Sequence, residues 1–161
     1  AKHMMIHKFT GALVTGALMM GISWVGYNNT LLTPSTTQLL VYLVFALSIL
    51  FTLWLRRKPE FKFGDYFQMG FRHFILITLV MAVFTYAFAY FHPGLREESA
   101  KAFQAILEKE QNKTPAEIEQ DVKLYREGYN TALISRSIFG YLMAGALASV
   151  ISSLGLTLQK K

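Results

Sequence analysis

The chain contains no cysteine. Disulfides and thiolate-bound metals are therefore excluded, and cysteine usage says nothing of the redox compartment. Charge is also scarce: 16% of the residues are charged, against about a quarter in an ordinary soluble domain. The scarcity is uneven. Four stretches, 9–27, 38–55, 74–91 and 137–158, hold no Asp, Glu or Lys at all. Proton-coupled carriers and ion pumps keep an ionisable group at membrane depth because that group binds the proton or ion. Its absence counts against coupled transport.

What is present is hydrophobic, at 53% of 161 residues. A hydrocarbon core about 30 Å thick takes about 20 apolar helical residues to cross, and each of the four stretches approaches that length. The sequence thus predicts an all-α integral membrane protein, a single membrane domain over 1–161. Its four transmembrane helices form a bundle with an extramembrane helical hairpin between spans three and four. The net charge of +6 does not point to nucleic acid, because the basic residues flank the apolar runs. The first residues, Ala1-Lys2-His3-Met4, read as a cloning junction, and no cleavage site marks a signal peptide.

The connecting segments differ in character. Residues 28–37 form an uncharged turn with Asn28, Pro34 and Ser35. Span two closes on Trp54 and then Arg56-Arg57-Lys58, as aromatic and cationic side chains do at an interface. Residues 60–73 read as a separate amphipathic elbow, with Phe63, Tyr66, Phe67 and Phe71 opposite Lys62, Asp65, Gln68 and Arg72. His92-Pro93-Gly94 stops span three. The hairpin, about 95–129, is expected as two helices, 95–111 and 115–127, joined at Asn112-Lys113. Thr114-Pro115-Ala116-Glu117 starts the second with a capping box. Phe103, Ile106 and Leu107 would face Ile118, Val122, Tyr125 and Tyr129.

Small residues four apart, Ala12/Gly16 and Ala17/Gly21 in span one and Gly145/Ser149/Ser153 in span four, predict close helix contacts in lipid. Orientation follows from the cations. Lys2 and Lys8 precede span one, and Arg56, Arg57, Lys58, Lys62 and Arg72 lie between spans two and three. Both termini are therefore expected in the cytoplasm, with the hairpin outside.

Candidates for chemistry are few. A serine nucleophile needs a base to take its proton. His73 and His92 lie at opposite ends of span three, about 28 Å apart at 1.5 Å per residue, and neither is expected to reach a mid-span serine. The hydroxyls of Thr15, Ser23, Ser48, Thr52, Thr78, Thr85, Ser149, Ser152 and Ser153 are expected to bond to the preceding helical turn or a neighbouring helix. Arg136 is expected at the outer interface or paired with Glu127. No catalytic, cofactor-binding or metal-binding residue is assigned and no cofactor is expected. Arg56, Arg57, Lys58, Lys62 and Arg72 are the candidate contacts for anionic lipid or an acidic partner.

The run Phe61-Lys-Phe-Gly-Asp-Tyr-Phe-Gln-Met-Gly-Phe71 leads into the aromatic span ending at His92-Pro93. A charged helical insert and a small-residue span ending in Lys160-Lys161 follow. Together these resemble a family of four-span bacterial inner-membrane proteins, mainly from the Bacteroidetes group, defined as a domain of unknown function. The resemblance implies four spans and a bacterial cytoplasmic membrane, and it carries no activity or site residue. The leading functional expectation is a non-enzymatic binding, scaffold or assembly component. A small oligomeric channel or transporter is the alternative, and an intramembrane enzyme would require His73 or His92 beside a serine or carboxylate in a shared cleft. Membrane lipids, a second membrane or periplasmic protein at the hairpin, and a second copy of the chain are the expected partners; nucleic acid is not.

Overall fold

Residues 2–159 of the computed structural model are described, with side chains from Phe9 onward. The candidate interface residues Lys2, Lys8 and Lys160-Lys161 lie outside the described side chains. Five helices follow one another: α1 (Lys2–Asn28), α2 (Pro34–Leu55), α3 (Phe63–Phe91), α4 (Pro93–Glu110) and α5 (Pro115–Leu158). Among the described residues there is no strand. The fold is all-α, and α1, α2, α3 and α5 are each long and apolar enough to cross a membrane.

Three expected boundaries move. The turn after α1 is shorter than 28–37, because Pro34 occupies the first turn of α2 and Thr33 caps it, accepting the Thr36 amide at 3.2 Å. Proline fits there because its missing N–H would be unpaired in any case. The separate elbow does not exist: its residues from Phe63 onward are the first turns of α3. Likewise the second hairpin helix and span four are one continuous 44-residue helix. In both places the sequence changes from amphipathic to apolar with no proline to interrupt it. That change alters what the helix faces, while the backbone ladder continues. At 1.5 Å per residue α5 is about 66 Å long, twice the thickness of a hydrocarbon core.

The chain divides into two compact units, Ala1–Met81 with Ile138–Lys161, and Ala82–Ser137. In the first, α2 buries Val41, Phe45, Ile49 and Leu53 while exposing Leu39, Leu43, Leu47 and Phe51. Inner and outer faces are equally apolar. On α5 the contrast is inverted: Ser149 and Ser153 are fully buried, and Phe139, Met143, Leu147 and Ile151 are exposed. A helix in water buries its large apolar residues, whereas in lipid small residues bring helices together and large ones face outward. Close approach is visible where a Cβ on Gly145 would lie 2.6 Å from the Phe74 ring, one on Gly70 2.7 Å from Ser149 Oγ, and one on Gly16 2.8 Å from Val80. Of the two pairs in α1, Ala12/Gly16 is buried and Ala17/Gly21 is exposed.

The second unit is held by its own small core. Ala100, Leu107 and Val122 are buried, with Phe103, Ile118 and Tyr125 packed on them. The Phe103 and Tyr125 rings stack with centroids 4.6 Å apart, so Phe103 and Leu107 meet Ile118, Val122 and Tyr125 as expected, whereas Ile106 faces outward instead of into the seam.

Candidate functional site

Of the five candidate cations, Arg56, Arg57, Lys58, Lys62 and Arg72, three share one cleft. Arg56 follows the last turn of α2, Lys58 lies in the connecting loop and Arg72 stands on α3. Together with Thr52, Asp65, Gln68 and His73 they line a cleft of about 870 Å³, whose remaining wall includes Phe9, Phe61, Ile75 and Leu76. The loop is fastened at Lys58, whose carbonyl accepts the Tyr66 hydroxyl at 3.4 Å and the Phe61 amide at 3.1 Å. Tyr66 is 1% exposed, so it belongs to the core. Phe63, Phe67 and Phe71 form a separate ladder, with centroids 6.0 and 6.4 Å apart. Asp65 accepts the Lys62 amide at 2.8 Å, fixing the start of α3 as a first-turn acid does.

The other two cations are elsewhere. The Arg57 guanidinium lies 4.9 Å from the Trp54 ring centroid and lines a second cleft of about 500 Å³ with Lys58, Tyr66 and Leu156. Lys62 lines neither cleft. Arg56 and Arg72 have no carboxylate within ion-pair distance among the described residues.

The expectation that His73 reaches no serine is overturned. Its Nε2 lies 3.4 Å from Ser48 Oγ and 3.3 Å from Thr52 Oγ1, both on α2. Spacing along α3 alone hid this, because the partners come from the neighbouring helix, where Ser48 and Thr52 are one turn apart and face the same way. Chemically the pair is poorly set for nucleophilic work. Ser48 donates its own proton to the Phe45 carbonyl at 2.8 Å, and Asp65, the carboxylate in the cleft, is eight residues from His73, about 12 Å along the helix. Thr15 and Ser23 also donate to carbonyls four residues back, at 2.9 Å each. Thr78, Ser149 and Ser153 depart from that pattern, for their buried oxygens have no hydrogen-bond partner among the described residues.

In the hairpin the capping box is complete. Thr114 donates through its amide and hydroxyl to Glu117 Oε2, at 2.7 and 2.8 Å, and its hydroxyl oxygen accepts the Glu117 amide at 3.4 Å. The Thr114 amide and hydroxyl hold the Glu117 carboxyl below its ordinary pKa. Asp121 accepts from Lys113, and that hydrogen bond raises the Lys113 ammonium above its ordinary range. Glu97 accepts from Arg126 Nε at 3.0 Å and lies 3.5 Å from Arg96. Arg136 is exposed and makes no ion pair with Glu127. The His92 ring stacks on Phe88 at 4.3 Å, with Nδ1 2.9 Å from the Phe88 carbonyl. Among the described residues no three His, Asp or Glu side chains converge as metal ligands would.

A family model described as a protein of unknown function (DUF4199) matches residues 9–157. The chain belongs to this family. The DUF4199 match takes in all the described side chains that line the Arg56–Lys58–Arg72 cleft and the whole hairpin, so both are parts of the family's own domain. No curated protein and no solved structure matches the chain. Within this DUF4199 domain the sequence had grouped the five cations together without separating Arg56, Lys58 and Arg72 from Arg57 and Lys62. It gave no signal for His73 as a neighbour of Ser48 and Thr52.

Proposed function

We propose that the chain is a multi-pass protein of the bacterial cytoplasmic membrane, with both termini inside, acting without catalysis as a binding or assembly component. The cation-rich segment 56–72 supports that orientation. The chief support is the distribution of chemistry. At membrane depth Thr15, Ser23 and Ser48 donate to their own helices, whereas the hairpin offers an elaborated polar surface. That surface also carries apolar residues: Ile106 is 55% exposed and Leu124 59%, as at a contact face for a second protein. The intramembrane hydroxyls of Thr15, Ser23 and Ser48 donate to their own backbone, which favours binding over conduction.

A photo-crosslinking residue at Ile106, in native membranes, tests the reading. One reproducible adduct with a second protein is the expected result. Adducts only with itself would assign the hairpin to self-association, and no adduct at either Ile106 or Leu124 would overturn the hairpin as a binding surface.

A further inference from the structure

We propose that the cleft between α2 and α3 is a binding site for an anionic amphiphile bearing phosphate. Its phosphate would lie against Arg56, Lys58 and Arg72, and its hydrocarbon along Phe9, Ile75 and Leu76. The volume, about 870 Å³, falls in the range of small-molecule sites, about 300–1,000 Å³.

The charge in the cleft is unbalanced. Arg56 and Arg72 share it with one acid, Asp65, which already accepts the Lys62 amide. Neither arginine has an ion pair among the described residues, so two guanidiniums share a cleft with no carboxylate bound to either. A phosphate offsets both, and its oxygens match the guanidinium fork.

The wall explains why a free phosphate alone is the poorer fit. Along α3 the lining runs from Asp65 and Gln68 through Met69, Phe71, Arg72 and His73 to Ile75 and Leu76. Its polar side chains all lie at or before His73, and beyond them the wall is apolar, in the direction in which the helix enters its hydrophobic run. Leu76 lies about 6 Å beyond Arg72 at 1.5 Å per residue, a distance that places hydrocarbon next to a headgroup held by the arginine. A neutral amphiphile would leave the two arginines unmatched, and an inorganic anion would leave the apolar wall wet. His73, bonded to Ser48 and Thr52, ties α3 to α2 at the cleft and acts as a positioning residue. The inference rests on segment 56–62 lying at the inner headgroups, a placement that cysteine labelling at Glu60 tests on its own.

The experiment is native mass spectrometry of the full chain in detergent with added phosphatidylglycerol or phosphatidylcholine. Phosphatidylglycerol should be retained in preference. R56Q/R72Q should lower its retention by about tenfold or more, as expected for cations that each act on an anionic headgroup. R57Q/K62Q removes the same charge outside the cleft and should change retention by less than about twofold. Equal losses in the two double variants would overturn the cleft in favour of diffuse surface charge. Excess inorganic phosphate should leave the lipid bound; displacement by phosphate alone would assign the site to the free anion and overturn the amphiphile. Ile75→Trp keeps every cation and fills the apolar wall. It should also lose lipid, and it decides the matter if R56Q/R72Q fails to fold: unchanged retention would overturn the proposal.

Discussion

His73 on α3 sits 3.3 Å from Thr52 and 3.4 Å from Ser48 on α2, a buried polar contact between two largely apolar helices. Among the described residues it is the one place where a base and a serine come together, and it therefore sets the test of catalysis. Because Ser48 donates to Phe45, a fluorophosphonate probe is expected to leave it unmodified. Labelling at Ser48 that disappears in His73→Ala would establish an activated serine and end the non-enzymatic reading. As a structural contact, Thr52→Val should cost about 0.6 kcal/mol, the mean for hydrogen bonds between membrane helices, measured by unfolding in mixed micelles.

That contact was illegible in the sequence for a physical reason. In water, a helix declares its inner face by polarity contrast. On α2 the buried Phe45 and Ile49 and the exposed Leu43 and Leu47 are alike in polarity, so nothing marks which face meets α3. The same blindness hid the division of Arg56, Lys58 and Arg72 from Arg57 and Lys62, which depends on how a short loop turns. The number of long apolar helices was legible because it depends only on run length. The start of α5 was legible because Thr114 and Glu117 are three residues apart and bond to each other without help from the rest of the fold. Its continuity through 128–136 was not, since a change in polarity resembles a break.

The cap carries a pH signature. The Thr114 amide and hydroxyl lower the Glu117 carboxyl, so the stability it contributes is present above its unfolded pKa and lost as the pH falls through the lower folded value. Nuclear magnetic resonance titration should place the Glu117 midpoint below the ordinary glutamate value of about 4.3. A midpoint at or above that value would mean the cap is open in solution. Thr114→Ala should raise the midpoint toward the ordinary value and cost about 1 kcal/mol of local helix stability.

Beyond the cap, the hairpin is closed by the stack of Phe103 on Tyr125 and by Ile118 against the core of Ala100, Leu107 and Val122. Phe103→Asp or Ile118→Asp places an unpaired charge in that seam, a change that costs more than the loss of a cap. Limited proteolysis should cut the 95–130 region faster in either variant than in Thr114→Ala. Unchanged cleavage in both aspartate variants would show that the seam does not hold the hairpin.

The proposed orientation across the membrane rests on cations that resist translocation, and two single cysteines test it. Neither Ala105 nor Glu60 lies in an apolar run, so both should be reachable from water on their own side. With no native cysteine in the chain, each substitution reports alone. In intact cells an impermeant maleimide should modify Ala105→Cys and spare Glu60→Cys, and permeabilisation should then expose Glu60→Cys. Modification at 60 but not at 105 would invert the topology, carrying the basic cleft to the outer face and the hairpin inside. Neutralising Arg57 and Lys62 should leave the pattern unchanged, because Arg56, Lys58 and Arg72 still hold the segment on its side.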